Sequence, residues 1–365
     1  MKTAIATLLL AFVALVSNAQ TSRDTTRTVQ ANKDTVRKIV TTVITTKYDT
    51  LKYKPVVPPK PPGYKRPKYK ASGAITLSNI SNQTISLDSI NSNGGFISQL
   101  VINNGVNIHV TKMYFTNTIG KAVILNNCTN IIVDSCMFYK VAFGVDAYNC
   151  KQIQVINNQG LDLYDVGKMG SQFAHWVQFR SVTGGGNKIN YNKFECTNNS
   201  LNAHDLLNVL TSKGLKNDSI QVIGNWLRGG QVKVNASPVE KATNGAAGIV
   251  AGEIGSQYVA CRYNILVNPG YVGIQPQAAT DVSIDHNTIY SKTTPASLVG
   301  LSMFNYSSSV AASIYMGNNK VKWYKYTGSE YDFYVPGSKP SGMGTNIYGG
   351  NLDESILPAT IITWK

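Results

Sequence analysis

Cysteines and carboxylates are both sparse in this chain, and each shortage excludes something. The 5 cysteines among 365 residues give no disulfide framework, and none stands at metal-ligand spacing from another cysteine or a histidine. Asp and Glu number only 19 and form no compact acidic motif of the kind that announces a calcium loop. After the first twenty residues no run reaches the ~18 apolar residues of a membrane span, which excludes a later membrane helix. The Leu-x-x-Leu-x-Leu frame of leucine-rich repeats is missing as well. The formal charge of +15 suggests nucleic acid until it is divided along the chain. Residues 21–70 hold 13 Lys/Arg against 3 acids, whereas residues 71–365 hold 20 against 16. The bulk of the chain is therefore almost neutral, and no nucleic-acid partner is expected.

What is present begins with a leader. Lys2, the apolar run Ala4 to Val16 and the small residues Ser17-Asn18-Ala19 read as a signal peptide over 1–19, so the mature chain is expected to be secreted or periplasmic. A basic Thr/Pro-rich tail and linker follows over 20–71. Its stretch from Pro55 to Lys70 reads as an extended, semi-rigid spacer. Its Lys, Arg and Tyr could contact acidic envelope polymers, but a solvated linker is the favoured reading, since basic runs usually are that.

One pattern then recurs: apolar-x-apolar-x-x-X-x-apolar, with Asn favoured at X. Ile108-His-Val110-Thr-Lys-Met113-Tyr-Phe115 and Ile220-Gln-Val222-Ile-Gly-Asn225-Trp-Leu227 are two of its nine copies. Position X falls at Ile90, Met113, Cys136, Asn158, Asn192, Asn225, Asn264, Asn287 and Asn319, at intervals of 23, 23, 22, 34, 33, 39, 23 and 32. A base period of 22 or 23 with inserted extras, carried by alternating strands, predicts an all-β parallel β-helix solenoid over 72–325. Nine coils at roughly 4.8 Å each make a rod about 40 Å long. The aromatic-rich 326–365 is expected to be a C-terminal cap and loop. The repeated Asn is expected to stack along one edge, starting at the fourth coil, because Asn tolerates left-handed turns and its amide satisfies turn groups. Cys128 and Cys150 occupy equivalent places one coil apart and are expected as stacked, inward-facing thiols.

A second column of inward residues registers as Val123, Val145, Val177, Leu207, Ile249, Ile274 and Leu301. The extra length falls before this column at about 159–174, 193–204 and 228–246, on three consecutive coils. Insertions at one corner of a solenoid rise as a wall beside one face. At the foot of that wall the register gathers Asp146, His175, Gln178, Arg180, Asp205 and Asn208, with Asp162, Asp165, Lys168 and Arg228 on the flanking loops. An acid–His–Arg mixture there is a candidate site, and Asp205 also fits a turn-capping role.

The Asn ladder, together with Asp205-Leu-Leu-Asn208-Val-Leu-Thr-Ser212 and Asn225-Trp-Leu-Arg228-Gly-Gly230, resembles the pectate-lyase-like superfamily of right-handed β-helix proteins, which act mostly on polysaccharides. The resemblance implies a polysaccharide partner and several chemistries. In a uronate lyase, Arg180 takes the base role with His175 and Asp205 beside it. Asp146, Gln178, Asn208 and Arg228 contact substrate, and Asp162 and Asp165 are the acids available for Ca²⁺. An epimerase needs the same proton-abstracting base. A glycoside hydrolase needs paired carboxylates, of which Asp205 with Glu253 or Asp146 is available, although the Asn-x-Asp and Asp-Asp pattern of galacturonan hydrolases is absent. A glycan-binding or envelope-surface solenoid without chemistry is the alternative. The resemblance places polysaccharide cleavage by β-elimination first.

Overall fold

The computed structural model describes residues 68–95, 97–164, 174–200, 203–230, 247–304 and 313–363. The expected signal peptide and nearly all of the basic tail lie outside them.

All nine copies of the repeat form strands, and these stack in parallel into one sheet: Ser81–Ser86, Val106–Thr111, Thr129–Asp134, Lys151–Ile156, Lys188–Asn190, Ile220–Ile223, Gln257–Arg262, Thr280–Asp285 and Tyr315–Gly317. The alternation within each copy sets the register. Val110, Val133, Val155, Ile189, Val222, Cys261, Ile284 and Met316 pair in succession, and every one of them is fully buried. A slip of one residue would turn this whole column to solvent, so burial fixes the pairing.

Each copy is two strands, not one. The residue just before X is left-handed in eight successive coils: Lys112, Ser135, Asn157, Tyr191, Gly224, Tyr263, His286 and Asn318, with φ between 51° and 67°. The chain bends there and enters a second face, which includes Gln159–Leu163, Lys193–Glu195, Trp226–Arg228 and Ile265–Val267. The Asn at X is thus not the left-handed residue that the sequence suggested. It is the residue that satisfies the bend. Asn158, Asn192, Asn225, Asn264, Asn287 and Asn319 are fully buried, and each side-chain amide donates to the Oδ1 of the next at 2.9–3.0 Å. Below them, Asn158 Oδ1 accepts from the Cys136 amide at 2.9 Å. Above them the ladder runs on to Asn346, beyond the last sequence copy.

A third face carries the predicted inward column without a change: Val123, Val145, Val177, Leu207, Ile249, Ile274 and Leu301 are in register and buried. The interior between the three faces is apolar and closely stacked. Phe115 lies on Phe138 at 5.4 Å and Trp176 on Phe194 at 4.9 Å. Gly160 makes room for that second pair, since a Cβ there would sit 2.5 Å from Trp176 Cζ3. Cys128 and Cys150 stack as free, buried thiols, with Cys150 Sγ accepting from the Cys128 amide at 3.2 Å.

The C-terminal residues do more than seal the last coil. Phe333–Tyr334 and Ile347–Tyr348 add strands to the growing faces. The chain then turns back and lies along the outside of the second face. Leu357, Ile361 and Ile362 are buried there against Met137, Leu161, Val267 and the partly buried Trp226, Ile265 and Tyr290. Glu354 is held by Asn268 and Lys292 at 2.8 and 2.7 Å, and the Thr363 amide donates to Gln159 at 2.8 Å. Arg228 grips the middle of this strap, donating to the Ala359, Pro358 and Leu357 carbonyls at 2.9, 2.6 and 3.4 Å. Replacing Arg228 by Ala should therefore free the strap. A local loss of about 1.4 kcal/mol makes the open form about tenfold more populated. Timed proteolysis should show faster trimming of the last residues, and unchanged trimming would refute the role.

Candidate active site

The third face projects its polar residues where the strand begins. In His175–Arg180 and Asp205–Leu210 the first residue turns outward, so that residues three apart meet instead of residues two apart. Asn208 Nδ2 donates to Asp205 Oδ2 at 2.7 Å, and Gln178 Nε2 lies 3.5 Å from His175 Nε2. The coil stacking then brings His175, Asp205 and their neighbours into one network.

Asp205 is its centre. It is buried, yet its partners are side chains, not the turn amides of the capping role. His204 Nδ1 approaches Oδ2 at 3.2 Å and His175 Nδ1 stands 3.9 Å from the same oxygen. Burial alone would raise the Asp205 carboxyl, but His204, His175 and Asn208 outweigh it and hold the group below its ordinary value. His175 is buried, and burial lowers it to about 4. It is therefore neutral at pH 7. Its Nδ1–H donates to the Asp205 carbonyl at 2.9 Å, and its ring packs edge-on against Phe143 at 5.1 Å. His204, one-third exposed, is displaced the other way: burial opposes its charge, and the Asp205 carboxylate outweighs burial. The Asn208 amide also reaches Glu253 Oε2 at 3.0 Å. Burial raises the Glu253 carboxyl. Asp205 and Glu253 thus share one amide while their surroundings push their protonation in opposite directions.

A second group sits on the earlier coils of the same face. Asp146 is fully buried, receives both Nε and a terminal nitrogen of Arg180 at 2.9 Å, and also pairs with Lys121. Burial works against the Arg180 charge, but Asp146 more than offsets it, and the guanidinium stands above its ordinary value. Arg180 also covers the Tyr148 ring at 4.9 Å. An ion pair of this kind holds its protons more tightly, which is the reverse of what a proton-abstracting base needs. One cationic charge remains over from Lys121 and Arg180 against Asp146.

The other expected residues lie elsewhere. Arg228 is on the second face and bound to the strap, with Glu195 3.6 Å away. Asp162 is buried and left-handed, and its Oδ1 accepts from the Thr197 amide, the Thr197 hydroxyl and the Ser200 hydroxyl at 2.7, 2.7 and 3.0 Å. That carboxylate braces a turn. Asp165 and Lys168 fall outside the described residues, as do most of the 159–174 and 228–246 insertions. Among the described residues, the group of side chains able to share a metal ion is His175, His204 and Asp205.

His204 and Lys121 are not among the expected residues, and Glu253, named only as a carboxylate available to Asp205, stands one place off its expected register. His204 precedes the strand, and strict alternation sends it away from Asp205; only the outward turn at this corner brings them together. Glu253 takes the place the register gave to Gly252, because a bulge makes Leu210 pair with Glu253. Gly252, at φ 104°, was the available signal, since a glycine inside a strand marks a bulge. Lys121 likewise follows a register shift, between Thr118 and Lys121.

No protein-family model and no curated protein matches the chain. Among solved structures it is similar to a tailspike protein of E. coli bacteriophage HK620 in complex with a pentasaccharide, at 11% identity and a TM-score of 0.36. That match covers 77% of this chain and 58% of the tailspike chain. The A-modules of two Azotobacter vinelandii mannuronan C-5 epimerases are also similar. AlgE4 stands at 12% identity and a TM-score of 0.30, covering 78% of this chain and 79% of that one. AlgE6 stands at 11% and 0.29, covering 77% and 79%. No reaction is carried across at such distances. By its own coil register, the chain is a parallel β-helix protein.

Proposed function

We propose that this protein is an exported enzyme that engages a uronate-containing polysaccharide on its third face and cleaves it by β-elimination. The observation that carries this reading is the chain His204–Asp205–Asn208–Glu253, in which a carboxylate orients an imidazole and one amide ties it to a second, raised carboxyl. With Asp205 Oδ2 3.2 Å from its Nδ1, the His204 ring accepts a proton at Nε2. The proton comes from the carbon α to the uronate carboxylate. The electron pair left behind forms the new carbon–carbon double bond, the adjacent glycosidic C–O bond breaks, and Glu253 protonates the departing oxygen. Opposed protonation in neighbouring groups is the arrangement that acid–base pairs require. Asp205 itself is too enclosed to act as a nucleophile, which disfavours the hydrolase reading. The surplus positive charge of Lys121 and Arg180 suits an acidic polymer, and Arg180 here is a substrate-binding group instead of the base.

The test is incubation of the mature chain with uronate polymers, with and without Ca²⁺, following the ultraviolet absorbance of the unsaturated product. His204→Ala and Glu253→Gln should each lower turnover by about 10²–10⁴-fold, and Arg180→Ala should mainly raise KM. Retention of the polymer without product from any substrate would leave a glycan-binding solenoid and remove the elimination step.

A further inference from the structure

The chain has only 4 histidines, and the fold brings two of them onto one carboxylate. The His175 and His204 rings stand 5.8 Å apart, nearly perpendicular. Both Nδ1 atoms face Asp205 Oδ2, at 3.9 and 3.2 Å, and one ligand atom from each of the three residues lies within 4.8 Å of the others. A tetrahedral zinc site with bonds of about 2.05 Å has ligand–ligand edges of about 3.3 Å. The His204–Asp205 edge, 3.2 Å, already has that length, and the His175–Asp205 edge, 3.9 Å, must shorten. The side chains stand at the starts of neighbouring strands, so they are held by the coil stacking and not by a loop.

The surroundings fit an ion as well. His175 is neutral and its ring is fixed by Phe143 and Gln178. Asn208 steadies Asp205 from outside, as outer partners of metal ligands do. Asn208 is 2% exposed, yet its Oδ1 has no partner among the described residues. Its Nδ2 is engaged by Asp205, and Glu253 lies one amide further on. The remaining two histidines are each paired with a single carboxylate, His109 with Asp134 at 3.1 Å and His286 with Asp285 at 2.8 Å, and neither makes such a group.

We propose that His175, His204 and Asp205 form a binding site for a divalent transition-metal ion, and that its occupation switches proton transfer off. Two imidazoles and one carboxylate suit zinc, copper or nickel, whereas calcium takes six to eight oxygens. A metal at Nδ1 takes the place of the His175 Nδ1–H at the Asp205 carbonyl, and each neutral imidazole then carries its one proton at Nε2. A metal on His204 Nδ1 leaves the proton on Nε2, where the base needs a lone pair. The metal site stands on its own geometry; only its inhibitory effect rests on the elimination reading.

Isothermal titration of the tag-free mature chain with ZnCl₂ and with CaCl₂ tests the site. One equivalent of zinc should bind, and calcium should give no heat at the same residues. Co²⁺ in its place should show the visible absorption of a tetrahedral ion. His204→Ala should weaken zinc binding by roughly a hundredfold or more and lose the cobalt band, with the circular dichroism of the folded chain retained. His109→Ala and His286→Ala should leave the titration as it was. Absence of zinc binding, or zinc binding undiminished in His204→Ala, overturns the site. Zinc bound, with no product from any polymer given to the zinc-free chain, leaves the site standing and removes the elimination reading; product from the zinc-free chain that zinc does not suppress removes the switch. Product formed without zinc binding does the opposite.

Discussion

Replacing Asn225 by Leu is expected to remove about 4 kcal/mol of stability, a very large effect for a change of similar volume. Asn225 is fully buried in the middle of the ladder. Its amide donates to the Ile189 carbonyl at 2.8 Å and to Asn264 Oδ1 at 2.9 Å, and its Oδ1 accepts from both the amide and the side chain of Asn192 at 3.0 Å. Leucine ends all four bonds. It also strands the Ile189 carbonyl and two Asn192 donors in a dry corner, where each unpaired group costs about 1–3 kcal/mol. These costs are not additive, because the coils relax together, hence the intermediate figure. The damage is local to one bend but lies between coils, so it weakens stacking on both sides. Urea unfolding of the mature chain should show a lower midpoint, and a loss below about 1 kcal/mol would show that the ladder is ornamental. Asn346→Leu, at the partly buried upper end, should cost clearly less.

The ladder also shows how far sequence alone carries. Residues buried by periodicity were legible: the two apolar columns, the stacking of six asparagines and the place of Cys128 over Cys150 all follow from spacing. Each coil repeats the same steric problem, so the same residue type recurs where it is solved. The third face of each coil was half legible. Its inward column obeys alternation, while its functional edge does not. His204 is reached only through an outward turn at the strand start, and Glu253, although legible as a carboxylate near Asp205, takes its place opposite Leu210 only through the bulge at Gly252. Both are departures from period two, and a period-based register is blind to them. Arg228 shows the opposite failure. Its sequence position beside an insertion suggested a groove, but its partners are carbonyls 129 to 131 residues away in the strap. No local pattern announces a contact of that range. Asp162 failed for a simpler reason: a carboxylate near a wall looks like a ligand until three donors are found on one of its oxygens.

Acidification from pH 7 to pH 4 should destabilise the folded chain through His175, by about 3 kcal/mol at most for this one group. In the unfolded chain His175 takes up a proton near its ordinary value of 6.5, whereas burial keeps the folded ring neutral down to about 4. Between those values the unfolded chain binds the extra proton, so stability falls as pH falls, and below about 4 the loss is complete. His204 acts in the other sense. Its folded value is raised by Asp205, so its contribution is present at low pH and disappears as pH rises through that value. Asp205, held low, keeps its contribution until the pH drops below the ordinary 3.8. The His175 effect is the one that a substitution isolates. His175→Gln retains a neutral polar side chain beside Asp205 and cannot titrate. Its stability at pH 7 will be lower than that of the parent, but its decline from pH 7 to pH 4 should be shallower by about the 3 kcal/mol assigned to the histidine. Urea midpoints measured at several pH values for both chains give the comparison directly. Parallel curves would mean that the folded His175 ring takes up its proton near the ordinary 6.5, and that burial does not hold it neutral between pH 6.5 and pH 4.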